Sequence, residues 1–319
     1  MPAKTFAYAL AALSALVPVQ LRADNGWDRA VFTLTEENDS KFSDRHYTQG
    51  LKLGFLSRDH TNENWLSGHL PSIGYKVARW KWGLEAGQQM FTPEILSETK
   101  LIENDRPYAG WLYGGLVFQQ RGTNGGGTGM MGTFRLQAGV VGPESEADDA
   151  QIYWHGLWGF QHPSGWHHQL KTEVGLQLAY DRRHRYAIGD EWSVQVLPEA
   201  GCNLGNVRTD FHAGGTLRAG YNIPNEFGLN DSRRGADLGV HLFGGYFCRA
   251  VLLDLFLDGN NFRPSPHVEK EPFIGEARFG VAITGRHAEL SVAHVHRTFE
   301  FSGQKERDGF TSLTLTLKF

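Results

Sequence analysis

The chain has 319 residues, 40% of them hydrophobic and 21% charged, a composition that excludes global disorder. A mean hydropathy of −0.38 excludes a polytopic helical membrane protein, and a formal net charge of −4 gives no indication of a nucleic-acid binder. The 39 glycines and 12% aromatics, including 9 Trp, fit an all-β protein, and a transmembrane barrel in particular.

The chain opens with a stretch that reads as a secretory signal peptide, residues 1–23. Lys4 gives the positive start, Thr5 to Val19 is uncharged and rich in Ala, Leu and Val, and Leu21-Arg22-Ala23 puts a small residue before the cut. An uncleaved anchor helix is the alternative, but the apolar run is short for a span of about 20 residues. The mature chain, 24–319, is then expected to form one domain. Its two cysteines, Cys202 and Cys248, are compatible with either free thiols or a disulfide in an exported protein.

From there on, segments of about ten residues alternate large apolar with small or polar side chains and end in turns. Leu51, Leu53 and Phe55 alternate with Lys52 and Gly54; Trp80, Trp82, Leu84 and Ala86 alternate with Lys81, Gly83, Glu85 and Gly87. The pattern recurs at Phe134 to Val140, Leu176 to Tyr180, Phe273 to Gly285 and His287 to Phe299. Gly122 to Gly129 is a turn, since it lacks the Lys-Ser/Thr ending of a phosphate loop.

A soluble sandwich would share this period of two. Three details favour a membrane barrel instead. Trp and Tyr recur near strand ends, the small and charged set suits a polar lumen, and the last alternating segment stops on Phe319. That ending resembles the assembly signal of bacterial outer-membrane barrels. About thirteen segments qualify as strands. Closure calls for an even number, so twelve are expected, with Glu191 to Leu197 or Arg249 to Leu257 being a loop element or a strand continuation.

Three polar clusters interrupt the pattern. Glu37-Asn38-Asp39 closes the first strand, followed by Asp44 to Gly50; its hard oxygens suit Ca²⁺, although Asn and Asp also favour turns. Asp105-Arg106-Pro107-Tyr108-Ala109-Gly110 leads into a strand, where Arg106 reads either as an anion fork or as a rim ion pair. Pro143 to Glu173 departs from strand periodicity and predicts a helix from about Glu144 to Trp158, with acidic residues at its start. Gln151 and His155, spaced i, i+4, share a face of it. His162, His167 and His168 lie nearby, but no pair has the His-Glu-x-x-His arrangement of a zinc site.

With the N-terminus in the periplasm, the first, third and fifth strands run outward. All three clusters then fall at the outer rim, provided that Arg58 to Tyr75 is a long inner connection. No Gly-x-Ser-x-Gly elbow is present.

Taken together, these motifs resemble the lipid A 3′-O-deacylase family. The residues that carry the likeness are Glu37-Asn38-Asp39, Asp44-Arg45-x-Tyr47-Thr48-x-Gly50, Asp105 to Gly110, Gln151-x-x-x-His155, Gly165-Trp166-x-x-Gln169-Leu170-x-x-Glu173 and Gly205-Asn206-Val207. The resemblance implies a twelve-stranded outer-membrane barrel with a short helix in an extracellular loop. It implies calcium-dependent removal of the 3′-linked acyloxyacyl group of lipid A, presented by lipopolysaccharide in the outer leaflet. Carried over by motif, Asn38 and Asp39 help hold calcium, Arg106 binds substrate, and His155 is the base, supported by Gln151; with no serine elbow, the nucleophile implied is water, its proton taken by a neutral His. Glu173 matches the motif without an assigned role. A monomer is expected. A structural or adhesive barrel without catalysis, and an outer-membrane phospholipase with a Ser-His pair, are the alternative readings.

Overall fold

The structure, a computed structural model, describes residues 29–39, 45–61, 70–72, 74–124, 128–227 and 238–319. The expected signal peptide, 1–23, lies outside the described residues. Twelve antiparallel strands close into a barrel, each paired with its neighbours in sequence and β1 paired with β12. They are β1 (Val31–Asp39), β2 (His46–Leu56), β3 (Lys76–Thr92), β4 (Ala109–Thr123), β5 (Gly129–Val141), β6 (Glu173–Gly189), β7 (Trp192–Gly205), β8 (Arg208–Tyr221), β9 (Leu238–Asp254), β10 (Phe273–Gly285), β11 (Ala288–Arg297) and β12 (Gly309–Lys318). Closure runs from Val31 opposite Lys318 to Asp39 opposite Phe310. Ala30 and Phe319 exchange both backbone hydrogen bonds, which ties the terminal aromatic into the seam.

Alternation sets the two faces of this wall. Leu84, Leu112, Leu116, Leu136, Leu176 and Leu178 are exposed on the outward face, where lipid covers them. Their strand neighbours Glu85, Arg135 and Asp181 point into the lumen and form ion pairs there. Among the described residues no helix is long and apolar enough to cross a membrane; the strands make the crossing. Both segments left open by the strand count are strand continuations. Trp192 to Leu197 is the first half of β7. Arg249 to Asp254 ends β9, and Leu255 opens the short helix α2 (Leu255–Asp258).

The outer end of the lumen is filled. Tyr47, Phe91, Trp111, Tyr113 and Phe310 form one buried cluster with Leu255 and Phe256 of α2. Phe91 and Phe256 stack at 4.2 Å between ring centroids. Cys202 and Cys248 are free thiols, on β7 and β9 with β8 between them, so they do not form a disulfide.

Candidate functional site

The helix in the β5–β6 connection is α1 (Ala147–Trp158), and it differs from the sequence expectation in one respect. Pro143–Ser145 is a separate 3-10 turn, and Glu146 sits between the two in a left-handed conformation with φ 54°. That kink re-aims the chain so that Ala147, Gln151 and His155, each one turn further on, form the buried face of α1.

This face lies outside the barrel, against the outward side of β3 and β4. Gly110 is the contact point on the wall. A Cβ there would fall 2.1 Å from Ser145 Oγ and 2.3 Å from the Ala147 methyl group, so only glycine lets the helix approach. Gln88, on the outward face of β3, donates from Nε2 to the Ser145 carbonyl at 2.6 Å. Met90, Leu96, Tyr108, Ala147 and Trp166 pack as an apolar cushion beneath the helix.

The remaining motif residues hold this layer together. Trp166 lies on a 3-10 turn (Trp166–His168), packs its ring on Tyr108 at 4.8 Å, and donates from Nε1 to Gln151 Oε1 at 2.8 Å. Gln169 Nε2 donates to Asp148 at 3.3 Å, and Leu170 N–H donates to the Tyr108 carbonyl. With its oxygen occupied, the Gln151 amide keeps a buried Nε2 that has no hydrogen-bond partner.

His155 is 5% exposed. Its Nδ1 is hydrogen-bonded to the Gln161 carbonyl. A carbonyl only accepts, so Nδ1 carries a proton, and in the neutral ring the lone pair is on Nε2. Gly159 makes this bond possible. At φ 70° it ends α1 in the left-handed conformation and turns the chain back, with Phe160 N–H donating to the His155 carbonyl at 2.9 Å. Phe160 then packs edge-on to the imidazole at 5.8 Å. The sequence motifs do not single out Gly159 or Gln161, and they give Trp166 no role. Gly159 is visible as a helix stop signal, whereas Gln161 acts through its main chain, which no side-chain pattern reveals.

At the end of β1, Asn38 faces outward, paired laterally with Thr311 of β12 and Gln49 of β2. Its Oδ1 is buried without a hydrogen-bond partner, an unmet hard acceptor of the kind a Ca²⁺ ion takes up. Asp39 is 5% exposed and sits opposite Phe310, on the lumen side by alternation. The two reach a common ion only around the strand end. Asn38 fits the expected cation, and Asp39 adds negative charge within one residue of it.

Arg106 is elsewhere. It is 1% exposed, inside the outer mouth of the barrel, with its guanidinium 3.3 Å from Glu300 and 5.1 Å from the Phe91 ring centroid. Burial pushes the Glu300 carboxyl up, but the Arg106, Arg297, Arg208 and Arg249 guanidiniums outweigh it and hold the group well below the usual carboxylate range. Burial likewise opposes ionisation of Asp105. Hydrogen bonds from His46 and from the Glu94 and Arg106 N–H groups overcome that and lower its pKa. His46 joins this outer network, 2.5 Å from Asp308 and 3.4 Å from Asp105.

Glu173 acquires a role. Its carboxylate accepts from Asn206 Nδ2, Asn260 Nδ2, Asn261 Nδ2 and Asn261 N–H, tying the β7–β8 and β9–β10 connections to the start of β6. The structure thus brings Gln151 and His155 together under α1, sets Asn38 on the same outward face of the wall, and puts Arg106 and Glu173 into the plug and the loop ties.

A closed twelve-stranded antiparallel barrel with an apolar outward face and a filled outer mouth is the architecture of an outer-membrane protein. The family model described as outer membrane protein LpxR matches residues 6–319, and the chain belongs to that family. It is an outer-membrane lipid A deacylase. LpxR from Salmonella typhimurium superposes with a TM-score of 0.70 at 20% identity, covering 91% of this chain and all of that one. The β domain of the Bordetella autotransporter BrkA gives 0.47 at 11% identity, over 93% of this chain and all of that one. No curated protein matches the sequence.

Proposed function

We propose that the chain hydrolyses the ester of the 3′-linked acyloxyacyl group of lipid A, with water as nucleophile and His155 as general base. The observation that carries this reading is the buried Gln151–His155 face of α1 against the outward wall. A base placed there meets a substrate that lies in the leaflet, not one that passes through the lumen.

His155, holding its Nδ1 proton on the Gln161 carbonyl, takes a proton from water at Nε2 as the water attacks the ester carbon. The same proton then serves the departing sugar hydroxyl. Gln151 presents its unpartnered Nε2–H to the oxygen that becomes negative in the tetrahedral intermediate, an interaction strongest where charge develops. Trp166 fixes the amide in that sense by occupying its oxygen. Calcium, held through Asn38 Oδ1 with the Asp39 charge beside it, would supply Lewis-acid polarisation of the ester carbonyl. Closure of the sheet leaves no free strand edge, which supports a monomer in the outer membrane after removal of residues 1–23.

The test is mass analysis of lipid A from cells with and without the protein, and with His155→Ala. The expected result is loss of the mass of the 3′ acyloxyacyl group, restored by the variant. Unchanged lipid A with altered phospholipids would point to a phospholipase. No change in either would point to a structural barrel.

A further inference from the structure

The outward wall changes character along one line of cross-strand pairs. In β10, β11 and β12 the pairs Ile283–Leu290–Leu315 and then Val281–Val292–Leu313 are apolar, as lipid contact requires. The next outward-facing row toward the rim is Phe279–His294–Thr311, and Thr311 continues it to Asn38 of β1. His296 follows two residues on in β11, paired directly with Ala277 and Gly309, neither of which carries more than a methyl group.

Both histidines face out of the barrel. Val295, between them, is buried opposite Phe310, a residue of the lumen cluster, and Arg297 binds Glu276. His296 is exposed and His294 half-buried. Their rings meet edge to face at 4.3 Å, with Phe279 against both at 5.4 and 6.1 Å. The polar contact of His294 is weak, Nδ1 lying 3.5 Å from Thr311 Oγ1. The carboxylate on this wall beside them is Glu36, opposite Leu313 in the row below.

Two imidazoles just above an apolar band are costly against acyl chains and favourable at the level of sugar and phosphate groups. They lie two strand spacings from Asn38, about 10 Å at roughly 4.8 Å per strand, on the side away from β2. We propose that His294 and His296 form a phosphate-monoester recognition patch, which holds a phosphate of the lipid A disaccharide while the ester to be cleaved lies over Asn38. Ring N–H groups donate to phosphate oxygens. Phe279 braces the pair so that both donors address one group. The proposal rests on the deacylase reading above.

The test separates recognition from reaction by measuring lipid A binding to the detergent-solubilised full chain in a His155→Ala background. Adding His294→Ala and His296→Ala should weaken binding of bis-phosphorylated lipid A about ten- to a hundredfold, as expected for the loss of charge-assisted hydrogen bonds. Binding of lipid A lacking both phosphates should not change. Forms lacking only the 1- or only the 4′-phosphate identify which group the patch holds. Undiminished binding of the bis-phosphorylated form, or equal weakening for every form, overturns the proposal. If the multiple variant loses its heat-modifiable gel shift, His296→Gln alone, at an exposed position, carries the same comparison with a several-fold effect. Retained deacylation by His155→Ala would refute the catalytic reading while the binding comparison still decides the patch.

Discussion

Two polar assemblies share the outer end of this barrel, separated by one sheet. Inside, Arg106 and Glu300 form a buried ion pair, extended by half-buried Arg297 and Glu276, among aromatic rings, with Arg297 lying over both Tyr47 and Phe310. On the outward face, two amide atoms have unmet hydrogen-bonding capacity, Gln151 Nε2 on α1 and Asn38 Oδ1 at the end of β1. The inner assembly closes the mouth of the barrel with charges that neutralise one another. The inner assembly also holds a buried unpartnered atom, Arg106 Nε, but on a guanidinium already paired with Glu300, whereas the outer ones are amide atoms with no charge partner.

The largest effect that would sharpen this contrast is at the base. His155→Ala should lower kcat by about 10² or more with the heat-modifiable barrel intact. His162→Ala, His167→Ala and His168→Ala should stay near wild type, although all lie within the same connection. Near-normal turnover of His155→Ala with a loss at His167 or His168 would assign the base elsewhere. Calcium removal is expected to act as strongly: excess EGTA, Asn38→Ala or Asp39→Ala should abolish turnover, and full activity in EGTA would take calcium out of the reaction.

The inner assembly predicts a different signature. Arg106→Ala leaves Glu300 buried beside fewer cations, and breaking one side of such a pair typically costs about 3–5 kcal/mol. Thermal stability should therefore fall while KM for lipid A changes little. A large rise in KM at unchanged stability would return Arg106 to substrate binding. Acid distinguishes the two assemblies as well. Asp105 and Glu300 have folded pKa values below their unfolded ones, so their stabilisation is present above the unfolded values. It is lost as pH falls through the folded ones. Hydrogen exchange of the outer loops should thus accelerate below about pH 4.

Which of these features are legible in the sequence follows from what period two encodes. It encodes the face of a residue within a strand, and so it yields the strands and the terminal seam at Phe319. It also yields the height of the three clusters, because parity fixes the end at which each strand stops. It is silent where no strand runs. Arg106 precedes β4, so its rim position is readable but not its turn into the lumen. Glu146 cannot be recognised as left-handed, because a non-glycine in that conformation is forced by packing around Gly110 and the Pro143 turn. His294 and His296 lie within a segment whose alternation is plain, and that alternation alone assigns them to one face of the sheet.

The smallest predicted effect tests whether the base depends on the chain turning back beneath it. Gly159 holds φ 70°, and a Cβ there meets no atom within 4 Å. Alanine thus introduces no clash, only the intrinsic cost of the left-handed conformation, roughly 1–2 kcal/mol. If the connection relaxes to recover that cost, the Gln161 carbonyl leaves His155 Nδ1 and the tautomer with its lone pair on Nε2 loses its support. Gly159→Ala should then lower kcat by about tenfold or less, with KM nearly unchanged. Gly159→Asn, a residue that tolerates the left-handed region better, should recover most of the rate. A kcat loss that asparagine does not relieve would place the role of Gly159 in something other than its backbone conformation.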